Sequence, residues 1–178
     1  MARQVSRWSK QYRASETDDI EAMNNLIEWL PKNIPDDDET SIVHGDYRLD
    51  NMILKDNQVM GILDWELSTL GHPIADFSYH CLSWRTQEAF WDQSKLKELG
   101  IPNEREYMDM YCENTGKDLS KNWEFYMAFN MFKIAGILQG ILGRVRDGTA
   151  ASKHAEDRGM MVYPLSEAAW KTIKENLL

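Results

Sequence analysis

Apolar residues recur at helical spacing along most of the chain. Val5, Trp8 and Tyr12 fall on one face of a helix predicted within residues 1–15. A second helical stripe runs over Ile20–Leu30, and Pro31 is predicted to end it. Further helices are predicted over Ile74–Trp84, Trp91–Leu99, Glu104–Thr115, Trp123–Arg146 and Pro164–Leu178. The most apolar of them, Trp123–Arg146, is predicted to be the buried central helix.

Only the middle of the chain has the pattern of β-structure. Short apolar runs at Ser41–Val43, Asn51–Leu54 and Val59–Leu63 predict strands, and the turn residues Lys55-Asp56-Asn57-Gln58 predict that the last two form a hairpin. Gly71-His72-Pro73 then breaks the pattern. The predicted fold class is mostly α (α+β), with helices around a small central β-hairpin and a loop.

Length and charge narrow the range of functions. The chain has 178 residues, 43% of them hydrophobic, which predicts a single domain over residues 1–178 with a substantial core. A net charge of −9 argues against nonspecific binding of nucleic acid or of anionic membranes. The apolar segments are expected to be too short to span a membrane. Cys81 and Cys112 are not in a metal-binding spacing, so we expect free thiols and a cytoplasmic protein.

The chemistry-bearing motif lies between the first predicted strand and the hairpin. It consists of His44, Asp46 and Asn51 in a loop, and of Asp64 at the end of the hairpin. Phosphoryl transfer needs a carboxylate that orients the acceptor hydroxyl and oxygen ligands for Mg²⁺. Asp46 suits the first role, and Asn51 and Asp64 suit the second, because a hairpin brings residues 51 and 64 close together. The pattern predicts the metal-binding and base half of such a site.

Two further residues of the loop have candidate roles. The guanidinium of Arg48 is placed to stabilise the oxygens of the transferred phosphoryl group. His44 is interpreted as a structural histidine that orients the loop rather than as a base. An alternative interpretation remains open, in which the segment is a polar turn formed by Asp46 and Asp50. The acidic run Asp36-Asp37-Asp38-Glu39 is interpreted as a solvated turn, not as a metal site.

The motifs resemble the aminoglycoside phosphotransferase and choline kinase branch of the protein-kinase-like fold. The likeness rests on His44–Asn51, on Leu63–Gly71 and on shorter segments such as Trp8–Tyr12, Ile27–Pro31 and Asn122–Phe129. It is greatest to the kinase-like domain at the amino terminus of acyl-CoA dehydrogenase family members 10 and 11. The resemblance covers nearly the whole chain and implies the C-terminal lobe of that fold.

The resemblance implies a role for each site residue. Asp46 would be the catalytic aspartate, and Asn51 and Asp64 would bind Mg²⁺ and, through it, ATP or GTP. Asp76 matches the family aspartate that holds the catalytic loop. Arg48 stands where many protein kinases have a lysine and antibiotic kinases often have a histidine. The implied activity is transfer of the γ-phosphoryl group to a hydroxyl of a small molecule, in a family that includes kinases of aminoglycosides, choline and homoserine.

The family also has an N-terminal lobe that clamps the nucleotide. No Gly-rich loop or strand lysine precedes the motif here, since only about forty residues come before it and they are predicted to be helical. We therefore expect a C-terminal lobe alone, with activity by itself uncertain. The alternative hypothesis is a noncatalytic binding module that forms a homodimer or pairs with a separate N-terminal lobe.

Overall fold

The structure, a computed structural model, describes residues 1–36, 39–86 and 95–178. Helices dominate it, as predicted, and the described strands form two small antiparallel pairs. In chain order the described elements are α1 (Ala2–Ser15), α2 (Glu21–Trp29), β1 (Ser41–Val43), β2 (Met52–Lys55), β3 (Gln58–Ile62), β4 (Thr69–Gly71), α3 (Pro73–Cys81), α4 (Glu104–Thr115), α5 (Trp123–Arg146), α6 (Ala155–Met160) and α7 (Val162–Asn176).

The chain divides into two compact units. The first contains residues 1–37 and 124–178, and the second contains residues 38–123. That residues 1–178 act as one domain stays a prediction. The two cysteines are free, as expected, with Cys81 buried and Cys112 half-buried.

The first unit is a helical bundle of α1, α2, α6, α7 and most of α5. Helix α2 packs against α7, and α1 packs against the short 3₁₀ turn Leu30–Lys32 that follows α2. Pro31 lies in that turn, so it ends the helix as predicted. The apolar faces meet in a core that includes Val5, Tyr12, Met23, Leu26, Leu30, Tyr126, Phe132, Val162 and Ile173, all of them almost fully buried.

Helix α5 is the longest described helix and matches its predicted bounds. By length and composition alone it is apolar enough to cross a membrane, with a mean hydropathy of 1.3 over its most apolar window. The expectation that no apolar segment approaches that length was therefore wrong. However, 61% of that window is buried inside the protein, and the core helix of a soluble protein passes the same test. Gly143 allows the close approach of α1, because a Cβ there would lie 3.3 Å from the carbonyl oxygen of Ser15.

Two helical predictions need correction at their ends. The segment predicted as one helix over Ile74–Trp84 is α3 followed by a 3₁₀ turn, Leu82–Trp84. The predicted helix Pro164–Leu178 begins earlier, at Val162, because proline is well accommodated in a first turn, where N–H groups have no helical partner. The predicted helix Trp91–Leu99 lies partly outside the described residues, and its described part consists of turns up to Gly100.

The second unit contains the strands, and its hairpin has the predicted course. Strands β2 and β3 pair antiparallel with Met52 opposite Ile62. Asp56 and Asn57 form the two-residue turn between them, and both adopt left-handed backbone angles, with φ of 52° and 59°. A type I′ turn requires positive φ at both central residues, which asparagine and aspartate tolerate, and such a turn matches the twist of paired strands. The open end of the hairpin lies next to the loop that carries the motif.

Strand β1 pairs with β4, a three-residue strand that the sequence did not predict. The two strands run antiparallel, with Ser41 opposite Gly71. Thr69-Leu70-Gly71 is too short to have a recognisable period, and only its distant partner makes it a strand. Helix α3 begins directly after β4, with Pro73 in its first turn and the His72 side chain accepting the N–H of Ile74. The pairing of β1 with β4 therefore places α3 beside the loop that follows β1.

Candidate active site

The predicted catalytic loop, residues 44–51, connects β1 to β2. His44 at its start is buried, with 4% of its surface exposed. Its Nδ1 accepts the main-chain N–H of Asp46 at 3.2 Å, and its Nε2 lies 2.8 Å from the carbonyl oxygen of Leu63. Since Nδ1 accepts a hydrogen bond, the ring proton is on Nε2, which donates a hydrogen bond to the carbonyl oxygen of Leu63. His44 thus joins the predicted catalytic loop to the residue before Asp64.

The carboxylate of Asp76 holds the main chain of the same loop. Its Oδ2 accepts the N–H of His44 and its Oδ1 accepts the N–H of Gly45, both at 2.8 Å. Asp76 lies in the first turn of α3, and its carboxylate reaches across to the end of β1. Two charge-assisted hydrogen bonds to consecutive N–H groups set the backbone orientation at the entrance of the loop.

Asp46 has a hydrogen-bond donor at each carboxylate oxygen. The Nδ2 of Asn51 donates to Oδ2 at 3.0 Å and also to the Asp46 carbonyl oxygen at 2.8 Å. The hydroxyl of Tyr79 donates to Oδ1 at 2.7 Å. Arg48 is more loosely placed, with its Nε 3.6 Å from Oδ2 of Asp46 and its Nη2 3.4 Å from Asp50. The structure therefore brings Asp46, Asn51 and Arg48 together within one loop.

The hairpin brings Asp64 to the same end of the unit as Asn51. The N–H of Leu63 donates to the carbonyl oxygen of Asn51 at 2.8 Å, which continues the β2–β3 register by one residue beyond Met52 and Ile62. Asp64 follows immediately with left-handed backbone angles, φ 62° and ψ 54°. Such a conformation is uncommon for a residue other than glycine, and it often occurs at functional sites. Trp65 then packs its ring against His44, with centroids 4.8 Å apart.

Helix α3 contacts the loop through three side chains on one face. Asp76, Tyr79 and His80 follow the helical spacing i, i+3 and i+4. Besides the contacts of Asp76 and Tyr79, the Nδ1 of His80 lies 3.2 Å from the carbonyl oxygen of Tyr47. Tyr79 and His80 were not among the predicted site residues. Their spacing from Asp76 was the available signal, since a helix that places residue 76 on the loop places residues 79 and 80 there as well.

Burial keeps both Tyr79 and His80 neutral, and at Tyr79 the neighbouring Asp46 carboxylate adds to this effect. The pKa of the Tyr79 hydroxyl is raised, first by burial and then by its hydrogen bond to Asp46 and the charge of that carboxylate. The pKa of His80 is lowered by burial, an effect that the Tyr47 carbonyl and Asp76 only partly oppose. Tyr79 therefore remains a hydrogen-bond donor, and neutral His80 donates a hydrogen bond from Nδ1 to the carbonyl oxygen of Tyr47.

The residues present fit the predicted magnesium ion. Because Nδ2 of Asn51 is committed to Asp46, its Oδ1 is directed away from that contact, and the carboxylate of Asp64 is exposed at the neighbouring position. Mg²⁺ prefers oxygen ligands and takes only one or two carboxylates from a protein, with phosphates and water completing its shell. The described residues contain no cluster of three or more His, Cys, Asp and Glu side chains that would hold a metal without such help. Asp37 and Asp38 of the acidic run lie outside the described residues.

Comparison with known proteins identifies similar chains. The family profile "Phosphotransferase enzyme family" matches residues 1–111. Acyl-CoA dehydrogenase family member 10 of Mus musculus is 46% identical over 175 residues, which cover 94% of this chain and 16% of that protein. Acyl-CoA dehydrogenase family member 11 of Homo sapiens is 41% identical over 179 residues, covering 97% of this chain and 23% of that protein. The chain thus spans less than a quarter of either relative.

A solved structure has the same fold. It is a proposed aminoglycoside phosphotransferase from Ralstonia eutropha JMP134, with 49% sequence identity and a TM-score of 0.90. The match covers 97% of this chain and 55% of the solved chain. The predicted fold class is confirmed by this match.

Proposed function

The chain belongs to the phosphotransferase enzyme family, and on that premise we propose that it transfers the γ-phosphoryl group of ATP to a hydroxyl of a small molecule. The observation that carries the proposal is the pairing of Asp46 with Asn51, beside the hairpin end that bears Asp64. A carboxylate next to two oxygen ligands is what this reaction requires of a protein.

In the proposed reaction Asp46 handles the acceptor proton. The acceptor oxygen forms a bond to the γ-phosphorus, and the bond from that phosphorus to its bridging oxygen breaks, with the electron pair leaving on ADP. The proton of the acceptor hydroxyl passes to the Asp46 carboxylate and then to solvent. Because the transition state is loose, orientation of the hydroxyl by Asp46 matters more than strong basicity.

Three other residues handle the charge of the nucleotide. Asn51 and Asp64 would hold Mg²⁺, which supplies neutralisation of the phosphate charge when it is bound. Arg48 is more than half exposed, and within the described residues its ion pairs are long contacts to Asp46 and Asp50, so its guanidinium can turn toward the transferred group. A permanently charged fork suits the phosphoryl oxygens.

The acceptor is proposed at the level of chemical class. Two relatives have names that concern acyl-CoA dehydrogenases, and the solved relative is described as an aminoglycoside phosphotransferase. Hydroxylated acyl compounds are therefore the first acceptors to test, followed by aminoglycosides, choline and homoserine.

Nucleotide binding by the chain gives the first test. We expect ATP to raise the melting temperature or to give a calorimetric signal only when Mg²⁺ is present. Asp64→Asn should abolish that response. Asp56→Asn is the matched control, because Asp56 is also exposed and also has a positive φ but lies at the far end of the hairpin. Absence of any response up to millimolar ATP contradicts nucleotide binding by the chain alone, and equal loss in both variants contradicts the proposed role of Asp64.

Turnover gives the second test. The chain, alone or supplemented with an N-terminal lobe of a family member, is incubated with Mg²⁺, labelled ATP and the acceptor panel. We expect label to transfer to one class of hydroxyl compound, and Asp46→Asn to abolish transfer while circular dichroism and melting temperature stay close to those of the wild type. Undiminished transfer in Asp46→Asn contradicts the role of that residue.

A second candidate function is assembly, and it is favoured by exposed apolar side chains on the strands. Ile42 and Leu70 lie opposite each other in the β1–β4 pair and are 74% and 62% exposed. Apolar surface of this kind often marks an association site. We propose homodimerisation, or pairing with a separate N-terminal lobe, through these strands. Light scattering should then give a dimer mass that Ile42→Lys converts to a monomer and Leu178→Lys does not; a monomeric wild type at high concentration contradicts self-association.

A further inference from the structure

Tyr79 contacts the carboxylate that the proposed reaction depends on. Its hydroxyl donates to Oδ1 of Asp46 at 2.7 Å, while Asn51 donates to Oδ2 at 3.0 Å. A carboxylate held at one oxygen can still rotate about its last bond. A carboxylate held at both oxygens by donors from different elements has its plane defined, here by α3 on one side and by the loop itself on the other.

We infer that Tyr79 is a positioning residue for phosphoryl transfer, which sets the orientation of the Asp46 carboxylate toward the acceptor hydroxyl. This inference rests on the proposed function of the site. Each carboxylate oxygen has two acceptor positions, so the bonds from Tyr79 and Asn51 leave an acceptor position on each oxygen for the substrate. Tyr79 keeps its own proton throughout, and the acceptor proton goes to Asp46.

Several features make Tyr79 a dependable donor. Burial and the adjacent carboxylate raise the pKa of its hydroxyl, so the group stays protonated near neutral pH. The side chain projects from the same face of α3 as Asp76, which is itself fixed to the N–H groups of His44 and Gly45. The helix therefore holds the backbone of the loop and the carboxylate in one geometry. Asp76 and Tyr79 thus join α3 to the loop at two points, the backbone of His44 and Gly45 and the carboxylate of Asp46.

The structural arrangement also favours orientation over basicity. The two hydrogen bonds from Tyr79 and Asn51 fix the plane of the Asp46 carboxylate. In a loose transition state the acceptor proton is lost late, and alignment of the hydroxyl dominates the barrier. Loss of the Tyr79 hydroxyl should therefore slow the chemical step while leaving nucleotide binding intact, since Tyr79 has no place among the predicted ligands of the nucleotide.

The test compares two tyrosine-to-phenylalanine variants of the chain under the turnover conditions described above. Tyr79→Phe keeps the ring and removes the hydroxyl. Tyr12→Phe is the matched control, because Tyr12 is fully buried and its hydroxyl has no hydrogen-bond partner within the described residues. A hydrogen bond to a charged group corresponds to a rate effect of about 10- to 100-fold. We expect kcat to fall by about that factor in Tyr79→Phe, with KM for ATP within about twofold of the wild type, and no change in Tyr12→Phe.

A double-mutant cycle on the free energy of unfolding checks that the Tyr79 hydroxyl acts through Asp46. Urea unfolding of the wild type, Tyr79→Phe, Asp46→Ala and the double variant should give non-additive changes, because the second substitution removes a contact that the first has already broken. Additive changes overturn the inference. A parallel loss of kcat and of folding in Tyr79→Phe also overturns it, since that result marks a merely structural tyrosine.

The outcomes separate the inference from the function on which it rests. If the wild type transfers phosphate and Tyr79→Phe matches its kcat, the positioning role is wrong and the proposed function stands. If the wild type transfers no phosphate to any acceptor, even with an N-terminal lobe supplied, the proposed function is wrong and the inference falls with it.

Discussion

Gly45 passes so close to Leu67 that no side chain fits between them. A Cβ added at Gly45 would lie 2.6 Å from the carbonyl oxygen of Leu67, and the φ of Gly45 is +84°. Both facts require glycine, because other L-residues rarely adopt that φ and because the neighbour is main chain that cannot rotate away. The close approach lets Asp76 reach the N–H of Gly45 while the loop turns toward Asp46.

Replacement of Gly45 by alanine should therefore destabilise the protein more than an equivalent change elsewhere. Gly116→Ala is the matched control, since Gly116 has a φ of +70° but no atom within 4 Å of an added Cβ. We expect Gly116→Ala to lower the free energy of unfolding by about 1 kcal/mol and Gly45→Ala by about 3 kcal/mol or more. Urea unfolding measures both, and equal losses would contradict the close approach.

Removal of the Asp76 carboxylate should loosen the catalytic loop. In Asp76→Ala the N–H groups of His44 and Gly45 lose their acceptors, which should lower the free energy of unfolding by about 2–4 kcal/mol. Asp109→Ala removes a carboxylate that only makes an exposed pair with Arg105, so it should cost about 0.5 kcal/mol or less. Hydrogen exchange of the two N–H groups should accelerate in Asp76→Ala alone; unchanged exchange would show that other contacts hold the loop.

His80 should make stability depend on pH. Burial lowers its pKa in the folded protein below the ordinary value of 6.5. Below pH 6.5 the unfolded chain therefore binds the proton more readily than the folded protein. The contribution of neutral His80 to the free energy of unfolding is fully present above pH 6.5 and is lost as pH falls toward the folded pKa. Between pH 6.5 and the folded pKa, the free energy of unfolding should fall less in the His80→Gln variant than in the wild type. Exposed His154→Gln should follow the wild type in urea unfolding, and an identical pH profile for all three proteins would contradict the prediction.

The Glu104 carboxylate should stabilise the second unit, because it accepts hydrogen bonds from three donor groups. Its carboxylate accepts from Nε and Nη2 of Arg85, at 2.8 and 2.6 Å, and from Nε1 of Trp123 at 2.7 Å. The pair is mostly buried, so Glu104→Ala leaves a charged guanidinium and an indole N–H without this acceptor and should cost about 2–3 kcal/mol.

The neighbouring Arg105→Ala provides the control for Glu104. It removes only an exposed pair with Asp109 on the same helix and should cost about 0.5 kcal/mol or less. Thermal unfolding should therefore show a clear loss for Glu104→Ala and almost none for Arg105→Ala. Similar melting temperatures for the two variants would indicate that solvent replaces the Glu104 contacts.

Most of the helices and the hairpin were predictable because local interactions determine them. The period of apolar residues marks α1, α2, α4 and α5, and the Asp56-Asn57 turn marks the hairpin. The spacing of Asp46, Asn51 and Asp64 predicted a site for the same reason, since the hairpin register between residues 51 and 64 is local. Their catalytic and metal-binding roles stay predictions until binding and turnover are measured.

Strand β4 and the contacts of α3 were not predictable in the same way. β4 has three residues, and it is a strand only because β1, almost thirty residues earlier, pairs with it. Tyr79 and His80 read as ordinary residues of an apolar helix, because their polar atoms find partners more than thirty residues away. A contact of that sequence separation depends on how the elements dock, which no local pattern contains.

The sequence by itself determined most of the helices, the hairpin and the presence of a loop with phosphotransferase-like residues, because each depends on neighbours within a few residues along the chain. Helix α6 was not predicted. Only the tertiary structure decided how that loop is held. It placed Asp76, Tyr79 and His80 of one helix face against residues 44–47, so that backbone N–H groups, the Asp46 carboxylate and a carbonyl each have a partner on α3. The physical reason is that these hydrogen bonds form only after β1 and β4 pair and bring the start of α3 beside the loop.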